Sequence, residues 1–321
     1  MKTYPDTVIL TQCITDMLPK EDAPIKIVSR HEFIYSSTFP VEIVTCKTVR
    51  GEQLSLFCKY LGGKRPNNYG HHGGVEYEAK IYEGILDKTS CSTIRYYGQC
   101  NIPGSSETLM VLEYIGATYR MNKTIEPEPL PVAAKWIGIF HHLNEGNAPA
   151  FVTVYDRSYY SGWSSRFRNL TSRHYEKYPW IERISNFFDD NMDSMLSGDL
   201  TIIHGEYYPH NVLMKNGIIY PIDWESAAIA PGEIDLASLT EKWESDIANR
   251  AIEAYKKNRW PNGIMPVNEF EKRFLLSKLY FIFRWWSEFG MNSDFTKSEP
   301  YQRLLLLSQR AGVHDLTSTA F

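Results

Sequence analysis

The residues best suited to chemistry lie in one stretch, TIIHGEYYPHNVLMKNGIIYPIDWESAAIAPGEIDLASL, at 201–239. His204, Gly205 and Glu206 open a polar loop that runs through Tyr207, Tyr208, Pro209 and His210 to Asn211. The apolar residues that follow flank Asn216-Gly217, the strongest short signal for a two-residue type I′ hairpin turn. With that turn, Lys215 opposes Ile218, and counting back sets Asn211 opposite Ile222. Asn211 and Asp223 then lie one residue out of register at the open end of the hairpin. An amide oxygen and a carboxylate there, with the loop carboxylate of Glu206, can supply hard oxygen ligands to Mg²⁺.

The spacing narrows the chemistry. Glu206 and Asn211 are five residues apart, the interval between Asp and Asn in the kinase catalytic loop H-R-D-x-x-x-x-N. Asp223 ends the next strand, where kinases place a second metal ligand. Phosphoryl transfer asks for a group that orients the acceptor hydroxyl, metal ions that bridge the phosphates, and a cation that holds them. Around these positions the expectations are plainer. His204 reads as an anchor of its loop by hydrogen bonds, and Trp224 as packing. Glu225 is a candidate to face an acceptor, as are Tyr207 and Tyr208 within the loop.

These groups need a scaffold. VEIVTCKTV (41–49) and QLSLFCKYL (53–61) flank Arg50-Gly51-Glu52 and read as a β-hairpin. In its second strand, Leu54, Leu56, Cys58 and Tyr60 share one face, while Ser55, Phe57 and Lys59 share the other. The glycine-rich stretch 62–74 precedes a helical pattern through Ile81, Tyr82, Ile85 and Leu86. Two further strand-like runs, at 94–100 and 107–115, close a β-rich part near Gly116. Beyond it, Ala133, Trp136, Ile137, Phe140 and Leu143 form one helical stripe. More helices are expected at 180–196, 234–258, 267–289 and 299–311. The fold class is α+β, with a smaller β-rich part, a linker near 113–118 and a larger helical part.

Composition sets outer bounds. With 34 Lys+Arg against 38 Asp+Glu in 321 residues, the net charge is −4, without the basic excess of a nucleic-acid or membrane binder. The five cysteines form no CxxC pair, as expected of reduced thiols in a cytoplasmic protein. Neither a signal peptide nor a bilayer-spanning apolar run is evident; LYFIF at 279–283 is ended by Arg284. His71-His72 and His141-His142 lack the i, i+4 spacing of a helical zinc site. Aromatic residues make up 14%, and those at helical spacing belong to a core. Others, among them Tyr159, Tyr160, Trp163, Trp285 and Trp286, read as loop residues or neighbours of polar groups, some of them on an acceptor side.

The segment HGEYYPHNVLMKNGIIYPIDWESAA…GEIDLASL resembles the aminoglycoside phosphotransferase and choline-kinase-like family, whose fold is that of protein kinases. The resemblance implies two lobes, with nucleotide bound by residues 1–113, a hinge at 114–118, and catalysis and acceptor binding by 119–321, the active site lying between them. It also implies ATP (or GTP) and Mg²⁺, with Glu206 as catalytic base, Asn211 and Asp223 as Mg²⁺ ligands, and Asp235 as a structural brace of the loop. Lys59 would contact the α- and β-phosphates and Glu78 would hold it, since Glu78 shares the inward stripe of Ile81 and Tyr82. Tyr35–Phe39, with Ser36 and Ser37, would cover the phosphates, although no glycine stands there. Glu113 and Ile115 would present backbone to the base. The family motif usually has Asp where this chain has Glu206, whose extra methylene keeps the acid–base chemistry but moves the carboxylate. The expected activity is transfer of the γ-phosphate to a hydroxyl of a small molecule, such as an aminoglycoside, sugar or amino alcohol. A nucleotide-binding pseudokinase, a kinase acting on a peptide Ser/Thr, or a non-kinase binding protein with a coincidental motif are the alternatives. The oligomeric state is left open.

Overall fold

The computed structural model describes residues 4–34, 39–61, 69–71, 73–116, 119–121, 129–243, 245–263, 265–291 and 294–314. The chain divides into two compact units. Met1–Asn67, His71–Glu126 and His210–Ala227 make the first; Asn68–Gly70, Pro127–Pro209 and Ala228–Phe321 make the second. The hairpin that carries Asn211 and Asp223 therefore belongs to the unit that holds Lys59, and Glu206 to the other.

In the first unit, a five-stranded antiparallel sheet has the order β1-β2-β3-β5-β4. Its strands are β1 (Pro24–Glu32), β2 (Val41–Thr48), β3 (Gln53–Tyr60), β4 (Tyr96–Asn101) and β5 (Thr108–Glu113). Side-chain alternation along β3 sends Leu56, Cys58 and Tyr60 into a core with Val44, Cys46 and Val111, closed by Leu10 and Ile14 of helix α1 (Thr7–Met17). The same alternation turns Lys59 to the opposite face. Helix α2 (Gly74–Gly84) buries Val75, Glu78, Ala79, Ile81 and Tyr82 and leaves Glu76 and Glu83 exposed. A smaller sheet joins β6 (Tyr119–Arg120) to the hairpin of β8 (Val212–Lys215) and β9 (Ile218–Pro221).

That hairpin has the expected register. Lys215 pairs with Ile218, and the Ile222 N–H donates to the Asn211 carbonyl at 2.9 Å. Asn216 (φ 51°) and Gly217 (φ 77°) both take the positive φ that a type I′ turn requires.

The second unit is mainly helical. A short antiparallel pair, β7 (Leu200–Ile203) with β10 (Ala228–Pro231), lies among α3 (Pro129–Leu143), α4 (Arg157–Thr171), α5 (Pro179–Asp190), α6 (Met192–Leu196), α7 (Glu233–Thr240), α8 (Ser245–Arg259), α9 (Val267–Phe289) and α10 (Glu299–Arg310). Several expectations change. The helix read at 180–196 breaks at Asn191, whose side-chain amide donates to the Phe187 carbonyl at 2.7 Å. A short amide there competes with the helical ladder. The helix read at 234–258 divides into α7, buried at every position, and α8, which buries only Ala251, Tyr255 and Arg259. One straight helix cannot present both patterns. Leu143, expected on the inward stripe of α3, is 44% exposed at its end. The aromatic stretch around 155–169 is a regular helix, α4, capped by Asp156, whose carboxylate accepts from the Tyr159 N–H. Trp285 and Trp286 likewise stand within α9. Among the described residues no helix is both long and apolar enough to cross a membrane.

Candidate active site

In the first unit, β3, α2 and the end of the β8–β9 hairpin bring three charged groups together. The Lys59 ammonium donates to Glu78 Oε2 at 2.6 Å and to Asp223 Oδ1 at 2.8 Å. The other oxygen of Glu78 accepts from the Trp224 N–H at 3.2 Å, so one carboxylate fixes both the lysine and the backbone after Asp223. The start of α2 is tied to the same segment. Gly73 N–H donates to the Glu225 carbonyl, and the Tyr77 hydroxyl to the Ala227 carbonyl at 2.7 Å. Asp223 adopts a left-handed backbone, φ 70° and ψ 61°, uncommon for a non-glycine residue and held here by these anchors.

The electrostatics follow from burial. Desolvation alone would lower the Lys59 pKa; attraction to Asp223, then to Glu78 and Glu225, outweighs it and raises it. Glu78 shifts upward, because burial outweighs the pull of Lys59. The Lys59 and Glu78 side chains are 9% and 2% exposed, but Asp223 is 42% exposed. The cluster is thus a fixed cation with one enclosed partner and one that opens to solvent. Asn211, in a tight turn before β8, is buried. Among the described residues no group of three His, Cys, Asp or Glu could cage a metal. An amide and a carboxylate suit Mg²⁺, which keeps several waters and shares its ligands with substrate phosphates.

In the second unit, Asp235 near the start of α7 organises the loop that leads to Glu206. Its two oxygens accept from the His204 N–H at 2.6 Å and the Gly205 N–H at 2.9 Å. His141 of α3 supports it: Nε2 lies 3.1 Å from Asp235, and Nδ1 lies 3.1 Å from the Tyr255 hydroxyl. Burial lowers the His141 pKa although Asp235 opposes the shift, so the ring is neutral at pH 7. A proton on Nε2 then satisfies both contacts. The buried His204 ring completes the turn, with Nδ1 accepting from the Glu206 N–H at 3.3 Å. Gly205, at φ 83°, supplies the left-handed backbone.

Glu206 is paired with a residue that sequence reading did not single out for chemistry. Arg284 of α9 donates through Nη2 to Glu206 Oε1, and through Nε to Glu288 Oε1 at 2.9 Å. Burial would lower the Arg284 pKa, but Glu206, and then Tyr280, Tyr159 and Tyr208, raise it well above the usual range. The signal was present in the chain: an arginine inside the apolar run LYFIFRWW must find a carboxylate. Helical spacing points to Glu288, four residues on; nothing local points to Glu206.

The remaining expected residues are distributed more widely. Tyr207 is fully buried, donates its hydroxyl to the Ala133 carbonyl at 3.1 Å, and stacks near Trp136. Its expected place beside an acceptor is therefore corrected to core packing. Tyr208 is only partly buried, packs edge-on to Phe281, and has a pKa raised chiefly by burial. Glu225, two residues after Asp223, is partly buried. The Glu113 N–H pairs with Arg95, and the Ile115 carbonyl accepts from Lys215 at 2.6 Å. Ser36 and Ser37 lie outside the described residues.

Residues 136–260 match the sequence profile described as the phosphotransferase enzyme family. No curated protein sequence matches the chain. Solved structures are similar over nearly its whole length. Choline kinase from Cryptosporidium parvum Iowa II has a TM-score of 0.64 at 16% identity, covering 98% of this chain and 99% of that one. Spectinomycin phosphotransferase, solved with ADP and spectinomycin, has 0.63 at 12% identity, covering 97% and 100%. A variant aminoglycoside 2′-phosphotransferase, solved with GDP, has 0.61 at 12%, covering 96% and 97%. Over residues 136–260 the chain thus carries the sequence signature of the phosphotransferase enzyme family, on the α+β fold shared by choline kinases and aminoglycoside phosphotransferases.

Proposed function

We propose that the protein is a small-molecule kinase, transferring the γ-phosphate of ATP or GTP to an acceptor hydroxyl with Mg²⁺. The observation that carries this reading is the Lys59 ammonium held between Glu78 and Asp223. Lys59 stays charged and presents a compact cation to the nucleotide phosphates, with Glu78 preventing it from swinging away. Asp223 and Asn211 are the oxygen donors for Mg²⁺, which when bound neutralises charge on the phosphates. Glu206 accepts or orients the proton of the acceptor hydroxyl. The hydroxyl oxygen bonds to the γ-phosphorus as the bond to the β-bridging oxygen breaks, and the nucleoside diphosphate leaves. Glu113 and Ile115 offer backbone to the base, and Tyr208 and Glu225 are the acceptor-facing candidates. The division into nucleotide-binding residues 1–113, hinge 114–118 and catalytic residues 119–321 belongs to the same proposal. So does a cytoplasmic setting, in keeping with the scattered free cysteines.

A second reading, nucleotide binding with little turnover, is favoured by the engagement of Glu206 with Arg284. Transfer of radiolabelled γ-phosphate to pooled hydroxylated metabolites and antibiotics separates the two. Wild type should label an acceptor, and Glu206→Gln should lose about 10²–10⁴-fold of that rate with Mg·ATP binding kept. Equal, negligible rates with intact binding would establish the second reading.

A further inference from the structure

Arg284 stands in α9 among the buried side chains of Tyr280, Phe281, Ile282, Phe283 and Trp286. A guanidinium is retained in such surroundings only with carboxylate partners, and it has two. Glu288, one turn further along the same helix, takes the Nε side and fixes the fork; the Nη2 end is then aimed at Glu206. The Trp163 ring lies 5.9 Å from the guanidinium carbon. The cation therefore has little freedom of its own.

The loop that bears Glu206 has its backbone held separately. Asp235 grips the His204 and Gly205 amides, two bonds that fix backbone ahead of Glu206 and not its carboxylate. A glutamate has one torsion more than the aspartate usual at this motif position, and that torsion needs a constraint of its own. We propose that Arg284 is a positioning residue for Glu206, holding the longer carboxylate in the one place from which it can orient an acceptor hydroxyl. The proposal rests on the kinase reading above. It is directional: with Nε held by Glu288 the guanidinium plane is fixed, so Nη2 meets Glu206 Oε1 from one direction, which a freely rotating ammonium would not impose.

The test is a double-mutant cycle with a structural readout. Turnover is followed as ³²P release from Mg·[γ-³²P]ATP to water and to the pooled acceptors, for wild type, Arg284→Met, Arg284→Lys, Glu206→Asp and Glu206→Asp/Arg284→Met. Crystal structures of wild type and Arg284→Met locate the Glu206 carboxylate. Arg284→Met should lower kcat by about 10–100-fold, with KM for Mg·ATP changed less than about twofold. Lysine should restore only part of the loss. In the Glu206→Asp background the same substitution should cost less than about threefold, because the shorter carboxylate has no extra torsion to fix. The Glu206 side chain should take several rotamers in Arg284→Met and one in wild type. An unchanged Glu206 rotamer in Arg284→Met, an equal loss in both backgrounds, or a rise in turnover would each overturn the proposal. Failure of the kinase reading looks different: no ³²P transfer by any variant, wild type included, while the Glu206 rotamer still depends on Arg284. Should Arg284→Met fold poorly, Glu288→Gln carries the same test, since it frees the fork without removing the cation.

Discussion

Two clusters of the molecule use the same arithmetic of charge, one cation between two carboxylates, and build different devices from it. In the first unit Lys59 lies between Glu78 and Asp223; in the second Arg284 lies between Glu288 and Glu206. The carboxylates differ in exposure: Glu78 is 2% exposed and Asp223 42%, whereas Glu288 and Glu206 are both partly exposed, at 17% and 24%. The cations differ too. An ammonium is a compact charge that can pass from a carboxylate to a phosphate without geometric demand. A guanidinium imposes orientation on the group it holds. The lysine cluster therefore suits a partner that arrives and leaves, and the arginine cluster one that must stay where it is.

The largest way to break that comparison is Asp223→Ala. It removes the proposed metal carboxylate and the outer partner of Lys59 together. Phosphate transfer should fall at least about 10²–10³-fold, and the thermal shift caused by Mg·ATP should vanish. Retained turnover would remove Asp223 from the reaction altogether.

Lys59→Met comes next, and its effect should show in stability before activity. It strands the Glu78 carboxylate in a buried site, which costs about 3–5 kcal/mol. Denaturant unfolding checks it, and adding Glu78→Gln to the same chain should recover part of the loss. A neutral result would mean that the pair is better solvated than its 2.6 Å contact implies.

A third cation sharpens the contrast. Lys278, also in α9, has its pKa lowered to about 8, by burial first and then by Arg310 and Arg303. The unfolded chain should therefore bind more protons than the folded one between pH 8 and the ordinary lysine value near 10.4. Stability should rise with pH across that window by up to about 1–3 kcal/mol. Urea midpoints of wild type and Lys278→Met at the two ends give the difference directly. Identical slopes would show that Lys278 reaches water as freely in the fold as outside it.

The smallest effect concerns the hairpin. Gly217→Ala meets nothing within 4 Å, so only the φ of 77° is strained. About 1 kcal/mol should be lost, with kcat nearly unchanged if Asn211 and Asp223 keep their register. A large fall in kcat would mean that the turn sets the ligands' geometry more sharply than the pairing does.

Much of the candidate site was legible because it depends on local rules. Asn216-Gly217 admits one tight turn, and that turn determines which residues oppose each other as far as Asn211 and Ile222. Period-two alternation separates Lys59 from the core side of β3, and helical spacing sets Glu78 apart from Glu76 and Glu83. Local pattern failed where an aromatic residue had two uses. Tyr207 sits in a polar loop, yet its ring is fully buried and its hydroxyl is used by Ala133 of α3, 74 residues away. The breaks at Asn191 and after Thr240 were missed for a related reason, since hydrophobic periodicity runs on where a single amide or a change of environment ends a helix.

By itself the chain determined the motif, the hairpin register and the two faces of β3, because each follows from residue type and spacing along the backbone. Only the tertiary structure decided that Arg284, beyond Glu288 on its own helix, also meets Glu206, 78 residues away, and that Asp235 accepts from two amides 30 and 31 residues before it while His141 supports it from 94. Buried charge must be compensated, so sequence can demand a partner for such a group; long-range packing alone chooses among the many carboxylates the chain offers.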